Sequence, residues 1–316
     1  MHPMPADDLT AALGRRLGCG DVADLTRLSG GASRETFRFT ADGRPLVLQR
    51  RRRGDTRSLA VEERVLRAAH AAGVPVPAVV DADVEPGEIG GPFMVLEAVE
   101  GETIARRILR DGEYAAARTV LVEQFGEALA RIHAIDGSSI SGLEAGDQVA
   151  QYRQVLDALG EPHPAFELAF RWLDDHRPAS SRQSLVHGDF RLGNVVVGPD
   201  GLRAVLDWEL AHVGDPMEDL GWLCVKAWRF GAAGEVAGLG GIDELIAAYC
   251  AAGGTDADAA TVHWWQVLGT LKWGIMCIMQ ANAHLSGAAR SHELAAIGRR
   301  VCENEHDLFL ALEGRW

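Results

Sequence analysis

The stretch Leu185-Val-His187-Gly-Asp189-Phe-Arg191-Leu-Gly-Asn194-Val-Val-Val197 constrains this chain more than any other. Two short runs of aliphatic residues flank a polar loop, a pattern that reads as strand, loop, strand. Asp189 and Asn194 stand five positions apart inside the loop. That spacing suits phosphoryl transfer, in which a carboxylate accepts the proton of an attacking hydroxyl while an amide oxygen further on holds Mg²⁺ against the phosphates. A second apolar run, Ala204-Val-Leu206, ends in Asp207-Trp-Glu209. Asp207 is a natural second ligand, because Mg²⁺ prefers hard oxygen donors. Each of these residues alone could be a turn cap or a strand end. The three in this order point to a kinase-type site.

His187-Gly-Asp189 with Asn194, followed by Val205-Leu-Asp207-Trp-Glu209, resembles the aminoglycoside phosphotransferase family of kinase-like enzymes. The longer string from Leu185 to Cys224 resembles the branch associated with acyl-CoA dehydrogenases. The resemblance covers nearly the whole chain and is strongest from Leu185 to Arg229. It implies an α+β, bilobal, protein-kinase-like fold, with a small β-rich nucleotide-binding lobe over residues 1–98. A larger, mainly helical catalytic and substrate-binding lobe would cover residues 99–316. ATP and Mg²⁺ are the implied cofactors, with Asp189 catalytic and Asn194 and Asp207 on the metal. The motifs are specific for the fold and for ATP chemistry, and weak on the phosphate acceptor.

Within that frame, the glycine pair in Ser29-Gly30-Gly31-Ala32-Ser33 lies between two expected strands and is assigned as the nucleotide loop. Glycines let backbone N–H groups approach phosphates, although a plain hairpin would use the same residues. Phe37 and Phe39 share one face of the strand that follows. Leu46-Val-Leu48-Gln49-Arg50 is expected to be the third strand, where a kinase carries a lysine on the phosphates. Here the choice is between Gln49 by alignment and Arg50 by chemistry. Arg50 is favoured, since a guanidinium matches phosphate oxygens and an amide carries no charge. Arg51, Arg52 and Arg53 suit a solvated edge. Leu59, Glu62, Val65, Leu66 and Ala69 fall at helical spacing. Glu62 is the expected partner of the strand arginine, with Glu63 as its rival. Pro92 to Gly101 reads as a strand entering a linker, and the resemblance makes the backbone of Glu97 to Val99 the adenine-binding hinge.

Beyond the linker the periodicity is helical, over 114–135, 148–159 and 165–176, and from Glu218 to the C-terminus. Asp215 is expected to cap a helix and Asp219 to tie down the catalytic-loop backbone. His187 and His133 are expected to be structural. Lys226, Arg229, Lys272, Gln280 and His284 lie among most of the chain's tryptophans, and this is where an acceptor pocket is expected. Its basic groups suit an anionic substrate.

A net charge of −14 argues against a general nucleic-acid binder. The five cysteines have no CxxC spacing and read as buried apolar residues in a reducing cytoplasm. No leader or bilayer-length apolar run appears, so a soluble, cytoplasmic protein without membrane association is expected. Two functions remain open. One is an ATP- and Mg²⁺-dependent phosphotransferase acting on a hydroxyl of a small molecule: an aminoglycoside, a hydroxyacyl-CoA or another anionic metabolite. The other is a nucleotide-binding pseudokinase, disabled by the missing strand lysine.

Overall fold

The computed structural model describes residues 5–28, 34–51, 59–85, 87–179, 182–255 and 257–315. The nucleotide loop assigned to Ser29–Ser33, and Arg52 and Arg53, lie outside the described residues. The chain starts with helix α1 (Ala6–Leu17), then β1 (Val22–Leu28), β2 (Arg34–Ala41), β3 (Arg44–Arg51), α2 (Leu59–Ala71), β4 (Val79–Asp83) and β5 (Phe93–Glu97). The strands form one antiparallel sheet in the order β1-β2-β3-β5-β4.

Alternation along β2 and β3 sorts the side chains onto two faces. Phe37 pairs with Leu48 and Phe39 with Leu46, while Thr36 pairs with Gln49 and Arg34 with Arg51. Phe39, Leu46, Leu48, Phe93 and Val95 pack on Leu9 and Leu13 of α1. The other face carries Met94 and Leu96, which join Val65, Leu66 and Ala69 of α2 in a core continuous with the second lobe. Glu62 falls within the inward stripe of α2, which is why a carboxylate is buried there at 5% exposure.

After the linker come α3 (Ala105–Arg110), α4 (Ala115–Arg118), α5 (Leu121–His133), α6 (Gln148–Leu159) and α7 (Pro164–Asp175). The single helix expected over 114–135 is thus two, parted at Thr119 and Val120, with Val120 at φ −118°. Then follow β6 (Ser184–Val186), β7 (Val195–Gly198), β8 (Gly201–Val205), β9 (His212–Gly214), α8 (Met217–Cys224), α9 (Ile242–Ala251), α10 (Ala259–Leu285), α11 (His292–Gly298) and α12 (Val301–Leu312). The strands here make two small antiparallel ladders, β6 with β9 and β7 with β8. The fold is therefore α+β, a small antiparallel-sheet lobe followed by a mostly helical part. The linker is fastened to the second lobe by reciprocal backbone bonds of 2.9 Å between Glu102 and Val197. Gly101 (φ +150°) makes this approach possible, since a Cβ there would lie 2.7 Å from the Val197 carbonyl oxygen.

Of the five cysteines, Cys224 and Cys277 are buried, Cys19 is intermediate, and Cys250 and Cys302 are exposed, which corrects the expectation that they would be mostly internal. Cys302 sits in the first turn of α12, a helix that buries Asn304, Leu308 and Ala311 instead. Among the described residues no helix is long and apolar enough to cross a membrane.

Candidate active site

The loop between β6 and β7 is held from below by α8. Both oxygens of Asp219 are used: Oδ2 accepts from the His187 N–H at 2.8 Å and Oδ1 from the Gly188 N–H at 2.9 Å. His133 Nε2 adds a third contact at 3.1 Å, and its Nδ1 lies 3.0 Å from the Tyr249 hydroxyl. Burial would raise the Asp219 pKa, but His133 and the backbone donors outweigh it and hold the carboxyl below its ordinary value. His187 is fully buried, with Nε2 2.9 Å from the Leu206 carbonyl and Nδ1 accepting the Asp189 N–H at 3.2 Å. Burial lowers its pKa, so it stays neutral and shapes the loop. Gly188 (φ +78°) turns the chain where a Cβ would meet the Leu210 carbonyl oxygen at 2.5 Å. Phe190 is fully buried against Phe125 of α5, edge to face at 5.6 Å. Burying a ring of this size contributes roughly 1.5–3 kcal/mol, which anchors the loop from its apolar side.

On this scaffold Asp189 is fixed by side chains from three directions. Trp222 Nε1 donates to Oδ1 at 2.8 Å, Arg191 Nε lies 3.1 Å from Oδ1, and Asn194 Nδ2 donates to Oδ2 at 2.5 Å. The side chain remains 15% exposed. Asn194 comes from the short turn Leu192–Asn194, and its backbone carbonyl accepts from Leu206 N–H at 2.8 Å. That bond ties the catalytic loop to the segment bearing Asp207. Asp207 itself adopts φ +62°, ψ +66°, a strained left-handed conformation for a residue with a side chain, of the kind that gathers at functional sites.

The charge around Asp207 tests whether a divalent cation fits. Asp207 is open to solvent, yet its pKa is pushed up to about 7, first by the desolvating protein packed around the carboxyl and then by the carboxylates of Glu209, Asp189 and Glu62, with Arg34 pulling the other way. These are hard oxygen donors gathered in one place, which is the donor chemistry of a Mg²⁺ site. Among the described residues no group of three or more His, Cys, Asp or Glu could hold a metal alone. A site completed by phosphates and water needs no such group.

Beneath the loop lies a cation expected from the sequence to line the acceptor pocket. Lys272 of α10 is 4% exposed, with Nζ 3.1 Å from the Gly188 carbonyl oxygen and 3.2 Å from Glu218 Oε1. The ammonium sits 4.8 Å from the centre of the Trp222 ring, the same indole that donates to Asp189. Burial alone would lower its pKa, but Glu218 more than compensates and raises it. Lys272 therefore positions the catalytic loop. Lys272→Met is expected to destabilise the fold by about 1–3 kcal/mol, less than an uncompensated buried charge would cost, because His212 Nε2 still lies 3.1 Å from Glu218 Oε2. Urea denaturation measures this, and a loss under 1 kcal/mol would refute the assignment.

The upper lobe departs from expectation at β3. Arg50 faces α1, not the cleft: its guanidinium bonds Glu35 at 2.6 Å and the Ile89 carbonyl at 2.8 Å, and lies over the Phe37 ring at 5.7 Å. It does not meet Glu62. The reason is parity, since Arg50 shares its face with Leu46 and Leu48 and leaves Gln49 toward α2. The partner of Glu62 is Arg34 of β2, which binds both carboxylate oxygens in a buried pair and also donates to Gln49 Oε1 at 3.1 Å. Glu63, the rival, pairs with Arg67 on its own helix. In the linker, Glu97 N–H is already bonded to the Ala78 carbonyl at 3.0 Å. Val99 follows the strand, and its backbone makes no hydrogen bond to another described residue.

A solvent-open basin of about 1260 Å³ adjoins the loop and is lined by Arg106, Arg191, Lys226, Arg229 and Arg300, with Glu303, His306 and Asp307. Five cationic side chains face two carboxylates there, in a chain whose net charge is −14. Lys226 pairs with Asp307 at 2.7 Å and Arg300 with Glu303 at 3.1 Å. Of the residues expected in the acceptor pocket, Lys226 and Arg229 line this basin, while Lys272, Gln280 and His284 do not. Asp215 accepts the Met217 N–H at 2.9 Å at the start of α8, as a capping residue.

A small antiparallel lobe, a helical lobe and an Asp–Asn loop followed by a strand-end Asp define a kinase-like phosphotransferase. The chain belongs to the phosphotransferase enzyme family (APH), whose sequence model matches residues 24–265. It is 32% identical over 238 residues to mouse acyl-CoA dehydrogenase family member 10, a match covering 70% of this chain and 22% of that protein. Among solved structures it resembles a putative aminoglycoside phosphotransferase from Ralstonia eutropha JMP134, with TM-score 0.75, 21% identity and 99% of both chains covered. A thermostable mutant of aminoglycoside phosphotransferase APH(4)-Ia, solved as a ternary complex with AMP-PNP and hygromycin B, aligns at TM-score 0.65 and 19% identity over 96% of this chain and 99% of that one. At these identities the structural likeness speaks for the fold alone. The chain spans about a fifth of the length of the mouse relative.

Proposed function

We propose that the protein transfers the γ-phosphate of ATP to a hydroxyl group of a small anionic metabolite. The observation that carries this reading is the fixed carboxylate of Asp189 beside Asn194 and Asp207, with a positively charged basin next to it. Asp189 accepts the proton of the attacking hydroxyl, and Trp222, Arg191 and Asn194 hold its oxygens in place for that step. Asn194 and Asp207 would hold Mg²⁺, which supplies neutralisation of the charge that develops on the phosphates. Adenine would be met by backbone groups of the linker, with Val99 better placed than Glu97, whose N–H is engaged in the sheet. Ser29–Ser33 would cover the phosphates.

The acceptor's charge is argued from the basin. Arg191 touches both Asp189 and the basin, so a molecule seated among these cations can present a hydroxyl to the carboxylate. A polycationic aminoglycoside would meet like charge there. The name of the mouse relative makes hydroxylated CoA thioesters the first anionic candidates to test. ADP release should be screened over hydroxyacyl-CoAs, aminoglycosides and amino alcohols. Turnover with hydroxylated anions is expected, and turnover with aminoglycosides alone would overturn the acceptor assignment.

A further inference from the structure

We propose that Arg34 of β2, clamped by Glu62 and Gln49, is the cation that binds the phosphates of the nucleotide, in place of a basic residue on β3. The inference rests on the ATP-dependent reading above and identifies the residue on which that reading's nucleotide affinity depends. On the face of β3 that looks toward α2 stand Gln49, which carries no charge, and Arg51, at the very end of the strand and opposite Arg34. Arg50, between them, is turned to the opposite face and held by Glu35 and Ile89. On the neighbouring strand, Arg34 shares the face of Gln49 and Thr36. Adjacent strands are about 4.8 Å apart, a distance that an arginine side chain can span and a shorter residue cannot.

The geometry around the guanidinium matches the task. Glu62 takes one donor from each terminal nitrogen and Gln49 takes another from Nη1, so three of the five N–H groups are used among the described residues. The plane of the fork is fixed by those bonds, and Nε with one Nη2 hydrogen is left for oxygen ligands. Glu209 lies 3.8 Å from Nη2, and Asp207 is close enough to raise the arginine's pKa together with Glu62 and Glu209, against the lowering effect of burial. Arg34 therefore stands at the edge of the carboxylate group that calls for metal and phosphate. The pair is not sealed in the core, because Arg34 and Glu62 both line a cavity of about 760 Å³ with Trp208 and Glu209. In this arrangement Gln49 is a positioning residue: its carbonyl oxygen steers the guanidinium rather than binding phosphate.

The test measures MgATP affinity by calorimetry, alongside thermal melting, for the wild type, Arg34→Gln, Arg34→Lys, Gln49→Lys, Arg50→Ala and the exchange variant Arg34→Gln/Gln49→Lys. Arg34→Gln is expected to weaken MgATP binding by about tenfold or more, the scale of a charge-assisted phosphate contact. Arg34→Lys should fall between the two, because it keeps the charge and loses the fork. Arg50→Ala should bind within about twofold of wild type. The exchange variant restores a cation on the same face and should recover affinity to within about threefold. It also separates binding from folding, since Arg34→Gln alone removes the buried ion pair with Glu62 and should lower the melting temperature. Wild-type binding retained by a folded Arg34→Gln protein would overturn the inference. So would an exchange variant that regains stability without affinity, or a tenfold loss from Arg50→Ala. A wild-type protein that binds no MgATP would overturn the kinase reading itself, an outcome distinct from all of these.

Discussion

Asp189→Asn is expected to lower kcat by about 10²–10⁴-fold, the usual range for removing a general base, while MgATP affinity changes little. The carboxylate serves the acceptor hydroxyl, and its contacts are to Trp222, Arg191 and Asn194 rather than to the residues around Arg34. The substitution has a structural cost that must be separated from the chemical one. An Asn at 189 turns an amide NH₂ toward a neighbouring donor, so one buried hydrogen bond is lost at about 1–3 kcal/mol. Kinetics well below the melting transition, with calorimetric MgATP binding on the same samples, isolate the chemical effect. Turnover near the wild-type rate would remove Asp189 from the mechanism. Wild-type protein that binds MgATP yet turns over no acceptor would favour the nucleotide-binding module.

The catalytic loop was legible because its residues are local. Asp189 and Asn194 share the loop between β6 and β7, and the tight β7–β8 hairpin returns Asp207 beside Asn194, so proximity follows from short-range pairing. The residues that hold them were not legible in that way. Trp222 reaches Asp189 from 33 positions away, and Lys272 reaches the Gly188 carbonyl from 84. Both sit in apolar helices where a tryptophan or an isolated lysine gives no sign of which loop lies above it. The pairing of Arg50 with Glu62 does not form, and the sequence already held the reason. Phe37, Phe39, Leu46 and Leu48 already mark the core face of the hairpin, and alternation puts Arg50 on that face and Arg34 and Gln49 on the other. Charge alone favours Arg50, but strand parity decides which way a β3 side chain points. Glu62, expected from the family resemblance to partner the β3 arginine, does lie on the inward stripe of α2 with Val65, Leu66 and Ala69, but it pairs with another arginine. Its true partner lies 28 residues earlier, on a strand for which the sequence offered only a hairpin signal.

Removing the charge of Asp207 should abolish the stabilisation that Mg²⁺ adds to ATP binding. At a ligand concentration of about 100 times Kd, binding stabilises a folded protein by about 2.7 kcal/mol. In the wild type, MgATP should therefore raise the melting temperature well above ATP with a chelator. In Asp207→Ala the two conditions should give the same melting temperature. Alanine at this position brings a complication, since the backbone there is left-handed and Ala tolerates φ +62° poorly. Asp207→Asn avoids it, because Asn accepts that conformation while discarding the charge. The apoprotein should not suffer from the change. Asp207 opens to solvent at the cleft, but the surrounding protein and the nearby carboxylates of Glu209, Asp189 and Glu62 push its pKa up to about 7, so neutralising it relieves repulsion. The expected pattern is thus an Asn variant at least as stable as wild type without ligand, and blind to Mg²⁺ with it. A variant that keeps the full metal-dependent shift would place the cation on other ligands.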